Sequence, residues 1–264
     1  MPTAIRGGTE TYWRTWGEGA PRVLMLHCSL AHSGAWDGLA QRLGCPCLAF
    51  DAPGHGRSGP RDPGQDYQDQ CLRVAGDFVA DGPMDIVGHS FGATVALRLA
   101  IERPEAVRRL VLIEPVLFAA AKGTAAYDRH VLAIQPFVAA IRAGDTPLAA
   151  QRFTDIWGTG VSWADMRAAQ RQALTDQIHV IPAQNDALFE DNAGLLAPGR
   201  LDAVQVPVLL LEGAASPDII AAILDVLQDR LPQTTRRSIR GAGHMLPITH
   251  PGAVAAAIGP FLTP

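Results

Sequence analysis

The stretch GHSFGA (residues 88–93) follows the apolar run MDIV (84–87) and leads into the helical pattern of ATVALRLAIE (93–102). An apolar run of strand length, closed by glycine and resumed at helical spacing, marks a sharp strand-to-helix turn. Gly88-His89-Ser90-Phe91-Gly92 fits G-x-S-x-G. In that turn the serine is forced into a strained conformation above the carboxyl edge of a sheet, and the flanking glycines let neighbouring backbone pass without a Cβ clash. A plain glycine turn that happens to hold a serine is the competing reading; the position between strand and helix decides for a nucleophile at Ser90.

Working outward, apolar runs of strand length alternate with longer helical patterns, the signature of parallel βαβ units. VLMLHC (23–28), PCLAFD (46–51), MDIVGH (84–89), RLVLIE (109–114) and PVLLLEG (207–213) read as buried parallel strands. Residues 3–16, broken at Gly7-Gly8, read as an opening hairpin, and the more polar TRRSIRG (235–241) as a strand at a sheet edge. Helical patterns fall at 36–43, 68–81, 91–102, 218–230 and 251–262. Between 117 and 198 no strand-like run occurs: Tyr127, Val131, Ile134, Val138 and Ile141 recur at helical spacing, with Pro136 expected to split the segment, and further helices are expected at 147–157 and 163–178.

The chain has 264 residues, 48% of them apolar and 18% charged, so it can bury a substantial core and is not of disordered composition. Its formal net charge is -4, and Lys122 is the only lysine among the basic residues. No basic cluster tracks phosphates, which speaks against a nucleic-acid partner. No signal-peptide-like run opens the chain and no apolar stretch has membrane-spanning length, so a cytoplasmic protein without membrane contact is expected. Cys28, Cys45, Cys47 and Cys71 lack metal-knuckle or redox spacing. They read as small buried side chains, and neither a metal nor a cofactor is expected.

A serine hydroxyl is a poor nucleophile until a base takes its proton and a carboxylate orients that base. Of the eight histidines, His244 in RGAGHMLP follows the last strand, where a loop returns to the carboxyl edge. His89 should point away from Ser90, and His250 lies beyond Pro247 at the start of the final helix. His244 is therefore the candidate base, against the plainer reading of a structural loop histidine.

Four stretches now stand in order: LMLHCSLAHSGAW (25–36), FDAPGHGRSG (50–59), IVGHSFGA (86–93) and GAGHMLPITHP (241–251). With the sheet between them, the chain resembles the α/β-hydrolase fold family over nearly its whole length, in the serine-nucleophile, esterase/lipase-like branch with a helical cap. The resemblance implies an α/β fold: a doubly wound, mostly parallel eight-stranded sheet. Residues 1–116 and 199–264 would form the hydrolase core and 117–198 an inserted helical cap.

By position in that family, the backbone N–H of Phe91 is one oxyanion-hole donor. The second comes from the loop after the strand, where His-Gly-X is usual and His27-Cys28-Ser29 stands here, so that Ser29 takes the role although Cys28 replaces the glycine. Most members carry an aspartate three residues beyond the glycine closing the next-to-last core strand; counting from Gly213, that slot holds Ser216. Two carboxylates keep the order Ser, acid, His. Glu114 ends the strand after the nucleophile unit and is longer by a methylene. Asp218 lies two residues past the usual slot but also reads as the first turn of a helix. Glu114 is the preferred acid and Asp218 the alternative; the plainer reading of Glu114 is a bond to loop backbone beside Pro115.

The DAPGHGRSG turn, with Asp51, His55, Arg57 and Ser58, reads as structural. Phe118, Phe137, Phe153, Trp157, Trp163 and Phe189 are available to roof a pocket, although aromatics at helical spacing more often fill a core. Trp157, in IWGTG, and Trp163, in glycine-rich surroundings that suggest a loop near the site, are the better candidates for its wall, together with Cys28, Leu30 and Met245. The function these residues imply is hydrolysis of a small, largely neutral carboxylic ester, lactone or thioester through an acyl-enzyme on Ser90, in a monomer or homodimer whose partner is a small-molecule substrate. Amidase, C–C bond hydrolase, transferase and cofactor-free haloperoxidase-like activities use the same residues. Dehalogenases and epoxide hydrolases of this fold need a carboxylate nucleophile. A ligand-binding protein with slow or no turnover is the alternative, resting on Ser216.

Overall fold

The structure, a computed structural model, describes residues 2–262; residues 1 and 263–264, at the margins of the expected core, lie outside the described residues. Eight strands form one sheet in the order β1-β2-β4-β3-β5-β6-β7-β8. The opening hairpin is β1 (Thr3–Arg6) and β2 (Thr9–Trp16), joined at Gly7-Gly8 with positive φ at both glycines. β2 runs antiparallel to β4 (Cys47–Phe50). From there β4, β3 (Val23–Leu26), β5 (Met84–His89), β6 (Val107–Ile113), β7 (Val208–Gly213) and β8 (Thr234–Ile239) pair in parallel. β8 is the edge strand that its polar pattern predicts.

Strand side chains point alternately to opposite faces, and both faces of this sheet are covered. Leu24, Ile86, Leu110, Leu112 and Leu210 face one core, with α2 (Tyr67–Phe78), α3 (Phe91–Glu102) and α9 (Asp218–Arg230). Met25, Val87, Val111, Ile113 and Leu211 face the other, with α1 (Asp37–Leu43) and α10 (Pro251–Leu262). That is why the central strands are apolar at nearly every position. α3 is buried almost all round, as a helix crossing the middle of the sheet must be.

Between β6 and β7 the described chain is helical: α4 (Ala125–Ala133), α5 (Gln135–Arg142), α6 (Thr146–Trp157), α7 (Ala168–Gln177) and α8 (Asn185–Phe189). Pro136 stands in the first turn of α5 and separates it from α4, where a proline's missing N–H does least harm. The expected helix at 163–178 is instead a short 3-10 turn, Trp163–Asp165, followed by α7. The base of this segment is continuous with the main core through Leu117, Phe118, Trp157 and Leu188, while Ala140, Ala149, Ala150 and Ile178 form a small cluster higher up.

Five imidazoles are buried, those of His27, His55, His89 and His244 near the carboxyl ends of the strands and that of His130 on α4. Burial lowers the pKa of His27, His55, His89 and His130 below the ordinary 6.5, His55 to about 3 and His130 to about 4. The unfolded chain therefore takes up protons on these groups as pH falls through about 6.5, before the folded protein does. Their contribution is fully present above that pH and is lost as acid is added. The urea midpoint should drop between about pH 7.5 and pH 5, above the range where carboxylates titrate; a midpoint constant over that interval would contradict this account.

Candidate active site

β5 ends at His89 and α3 begins at Phe91, which leaves Ser90 alone in the turn at φ 57°, ψ -120°. Two glycines make the turn possible. A Cβ on Gly92 would lie 2.3 Å from the Leu26 carbonyl oxygen, and one on Gly88 would lie 2.5 Å from Ala93 Cα. No larger residue fits at either place. The Ser90 N–H still bonds the Ile113 carbonyl at 2.9 Å, so the strained residue is tied to the next strand.

The loop after β8 brings His244 over this turn. Its Nε2 is 3.0 Å from Ser90 Oγ, and its Nδ1 is 2.9 Å from Glu114 Oε2. His89 does point away from Ser90: its Nε2–H donates to the His244 carbonyl at 2.9 Å and so braces the loop from below. Trp157 packs edge-on against the His244 ring, with centroids 4.6 Å apart.

Glu114 follows β6 with a φ of 50° and a fully buried side chain. Its Oε1 accepts from the Gly213 N–H at 2.6 Å and from Ser216 Oγ at 2.7 Å, while Oε2 meets the histidine. The serine in the expected aspartate slot thus donates to the carboxylate that reaches across from the neighbouring strand. Gly213 adds room, since a Cβ there would lie 2.3 Å from the Ala242 carbonyl oxygen of the histidine loop. Asp218 is not part of this arrangement. It opens α9, is half exposed, and pairs with Arg129, while both ring nitrogens of His244 are engaged elsewhere.

Phe91 opens α3, where first-turn N–H groups have no partner within the helix and the dipole is positive. Ser29 lies on the loop after β3, its Oγ donating to Gln184 Oε1 at 2.8 Å. The turn at 51–59 braces that loop. The Leu30 N–H donates to His55 Nε2 at 3.2 Å, and the Asp51 carboxylate accepts from the N–H groups of Ser33 (2.6 Å) and Arg57 (2.8 Å).

Ser90 and His244 line a cavity of about 520 Å³ roofed by the helical segment. Trp157 is in its wall, as are Phe118, Phe137, Phe153 and Phe189, which read equally well as core in the sequence. Four expected wall residues are not. Trp163 and Leu30 pack against the small upper cluster, because the loop from 158 to 162 and the positive φ of Leu30 turn them there. Cys28 is buried behind the loop, its thiol pushed up to about 12 by burial, and Met245 flanks His244 outside the wall. Conversely, His130 and Gln184 line the cavity although no motif or spacing in the sequence marks them. Gln184 is 155 residues from its partner Ser29, a pairing that no local periodicity records. Among the described residues no group of three or more His, Cys, Asp or Glu side chains is placed to hold a metal, and no helix is long and apolar enough to cross a membrane.

A model of the alpha/beta hydrolase family matches residues 23–257. An esterase of Mycobacterium tuberculosis is 30% identical over 213 residues, which cover 76% of this chain and 68% of that protein. A pimeloyl-[acyl-carrier protein] methyl ester esterase of Yersinia pseudotuberculosis is 28% identical over 258 residues, covering 94% of this chain and 96% of that one. Among solved structures, an alpha/beta hydrolase from Sphaerobacter thermophilus superposes with a TM-score of 0.74 at 23% identity, covering 99% of this chain and all of that one.

Because Glu114, and not Asp218, contacts His244, the two carboxylates should separate cleanly on mutation. Glu114→Gln should lower kcat for an ester by roughly 10³- to 10⁴-fold with the fold retained, through loss of the charge and of the tautomer it selects. Asp218→Asn should leave kcat within about twofold, since it removes only an exposed ion pair. Steady-state kinetics of the two variants checks this, and equal losses would refute the assignment.

Proposed function

The chain belongs to the alpha/beta hydrolase family, and from that premise we propose that it is a serine esterase acting on a small, largely neutral carboxylic ester through an acyl-enzyme on Ser90. The observation that carries this reading is the unbroken contact from Ser90 Oγ through the His244 ring to Glu114 at the floor of a largely apolar cavity. The names of the relatives, an esterase and a pimeloyl-[acyl-carrier protein] methyl ester esterase, agree with it.

In this mechanism Ser90 Oγ attacks the ester carbonyl carbon as its proton passes to His244 Nε2. The carbonyl oxygen takes the charge and is held by the N–H groups of Phe91 and Ser29, each donor of this kind being worth roughly 10² to 10³ in turnover. Collapse expels the alkoxide, which receives the proton from His244 and leaves as the alcohol. A water molecule then gives a proton to His244 and attacks the acyl-enzyme, and collapse of the second tetrahedral intermediate returns the proton to Ser90 Oγ as the acid departs. Glu114 holds the Nδ1–H tautomer and stabilises the imidazolium. Its own charge is met by Gly213 and Ser216.

The acyl-enzyme route through these residues extends to lactones and thioesters. The alternative of a binding protein without turnover drew on the serine at position 216. With Ser216 donating to Glu114, that position supports the carboxylate rather than signalling its loss. Intact-mass analysis after treatment with a fluorophosphonate should show one adduct on the wild type and none on Ser90→Ala. Short-chain p-nitrophenyl esters should be hydrolysed by the wild type and not detectably by the variant. A folded wild type that neither labels nor turns over an ester would overturn the proposal.

A further inference from the structure

Part of the cavity wall is apolar surface that no core accounts for. Tyr127, Val131, Ile134 and Val138 recur at intervals of four, three and four residues, which sets them on one face of α4 and α5. The face continues across the junction of the two helices, because the N–H of Ile134 donates to the His130 carbonyl and that of Val138 to the Ile134 carbonyl, both at 3.0 Å. All four side chains line the cavity that holds Ser90 and His244. Tyr127, at one end, packs on the main core. Val131, Ile134 and Val138 are half-buried, yet none of them belongs to a hydrophobic cluster among the described residues. One such side chain needs no explanation, but three along one wall of a cavity with a nucleophile at its floor leave apolar surface to be covered by what enters.

The extent of that surface sets the size of its occupant. From Tyr127 to Val138 the helices rise about 16 Å. The cavity of about 520 Å³ has room for roughly seventeen groups of methylene size, at about the 30 Å³ that a water molecule occupies. An acetyl or butyryl ester of a short alcohol leaves most of this space empty. A chain of about eight to ten carbons, extended at about 1.2 Å per bond, runs along most of the face. Arg142, Asp186 and Glu190 also line the cavity, and all three are exposed. Arg142 stands one turn beyond Val138, while Asp186 and Glu190 come from α8 and the residue after it, and Glu190 pairs with Lys122 at 2.8 Å. Charge of both signs is thus met at the solvent end of the wall and none along the aliphatic face, so this face reads the length of a chain and leaves its far end free to be polar.

We propose that Val131, Ile134 and Val138 form a track that takes an unbranched alkyl chain of about eight to ten carbons from the substrate; this rests on Ser90 acting as the acylated nucleophile. The substrate class is then a medium-chain aliphatic ester rather than an acetate or butyrate of a short alcohol. The chain can belong to the acid or to the alcohol, and two series of substrates distinguish them: p-nitrophenyl esters from acetate to dodecanoate, and acetates from ethyl to dodecyl, all below their critical micelle concentrations.

The readout is kcat/KM along each series, taken as the ratio of the eight-carbon to the four-carbon chain. Each methylene that leaves water for apolar surface is worth up to about fourfold. In one series the wild-type ratio should reach at least about tenfold, with no further rise beyond ten carbons. Ile134→Trp and Val138→Trp, which put an indole into the track, should each bring that ratio towards one, whatever they do to absolute rates. A wild-type ratio near one in both series would overturn the track, and so would a kcat/KM that still climbs at twelve carbons. A ratio unmoved in both variants would overturn it as well, including the case in which a variant slows both chain lengths equally, because that is what a purely structural role for these side chains produces. Fluorophosphonate labelling run alongside separates the two levels of failure. Labelling of Ser90 with no preference for chain length sinks the track alone, whereas no labelling and no hydrolysis sink the esterase reading on which it rests.

Discussion

The approach of α3 to the end of β3 is the constraint from which the rest of the site follows. With a glycine at 92 the helix passes so near the sheet that any Cβ would fall 2.3 Å from one carbonyl oxygen and 2.5 Å from the next. Because the helix starts that close, the chain has a single residue in which to reverse, and Ser90 takes the positive φ that costs of order 1–3 kcal/mol outside glycine. The same closeness sets the first N–H groups of α3 beside the loop after β3. A nucleophile and the donors that would serve it are therefore products of one steric fact, and the hydrogen bond from Ser90 N–H to Ile113 transmits it to β6.

The carboxylate shows how far such a frame tolerates rearrangement. The strand order places β7 between β6 and β8, so an acid on β6 must cross the end of β7 to reach a histidine that follows β8. Three features make the crossing possible: the longer glutamate side chain, the positive φ of Glu114 that lifts it from the strand direction, and a glycine at the end of β7. A glutamate buried without partners would be costly. Here one oxygen is met by a backbone N–H and a serine hydroxyl, and the other by the imidazole. Ser216 therefore belongs with the Glu114 carboxylate, and its presence in the expected aspartate slot is a physical complement of Glu114.

The sheet and its flanking helices were legible in the sequence because their signals are local. Period-two and period-3.6 patterns fix which face each residue occupies, and Gly88 and Gly92 mark a turn that no larger residue could make. Ser90 and His244 were legible for the same reason, one lying directly beyond a strand and the other on the short loop that follows one. The acid was open between Glu114 and Asp218 because that choice depends on the order of strands across the sheet, and the arginine that pairs with Asp218 lies 89 residues away. The cavity wall was least legible. Trp157 and Trp163 flank the glycine-containing stretch 158–162, yet Trp163 packs into the upper cluster and Trp157 against His244. Gln184 and His130 carry no periodic signal, since what they face depends on how the whole helical segment closes over the sheet.

That segment divides the work of the site in two. Its base shares the main core with the sheet, so Phe118 and Trp157 are fixed with the same cooperativity as the strands below them. Its upper part holds together through a small cluster built largely on alanines, which buries far less apolar surface and so resists displacement less. Of the three groups in mutual contact, Ser90 and Glu114 directly follow strands and His244 sits on the loop after β8. The other side chains that line the cavity come mostly from the helices above. The geometry of these three groups is thus set chiefly by the sheet and its loops, with Trp157 reaching down to His244 and Gln184 to Ser29, while the remaining shape and polarity of the cavity are set by the helical layer.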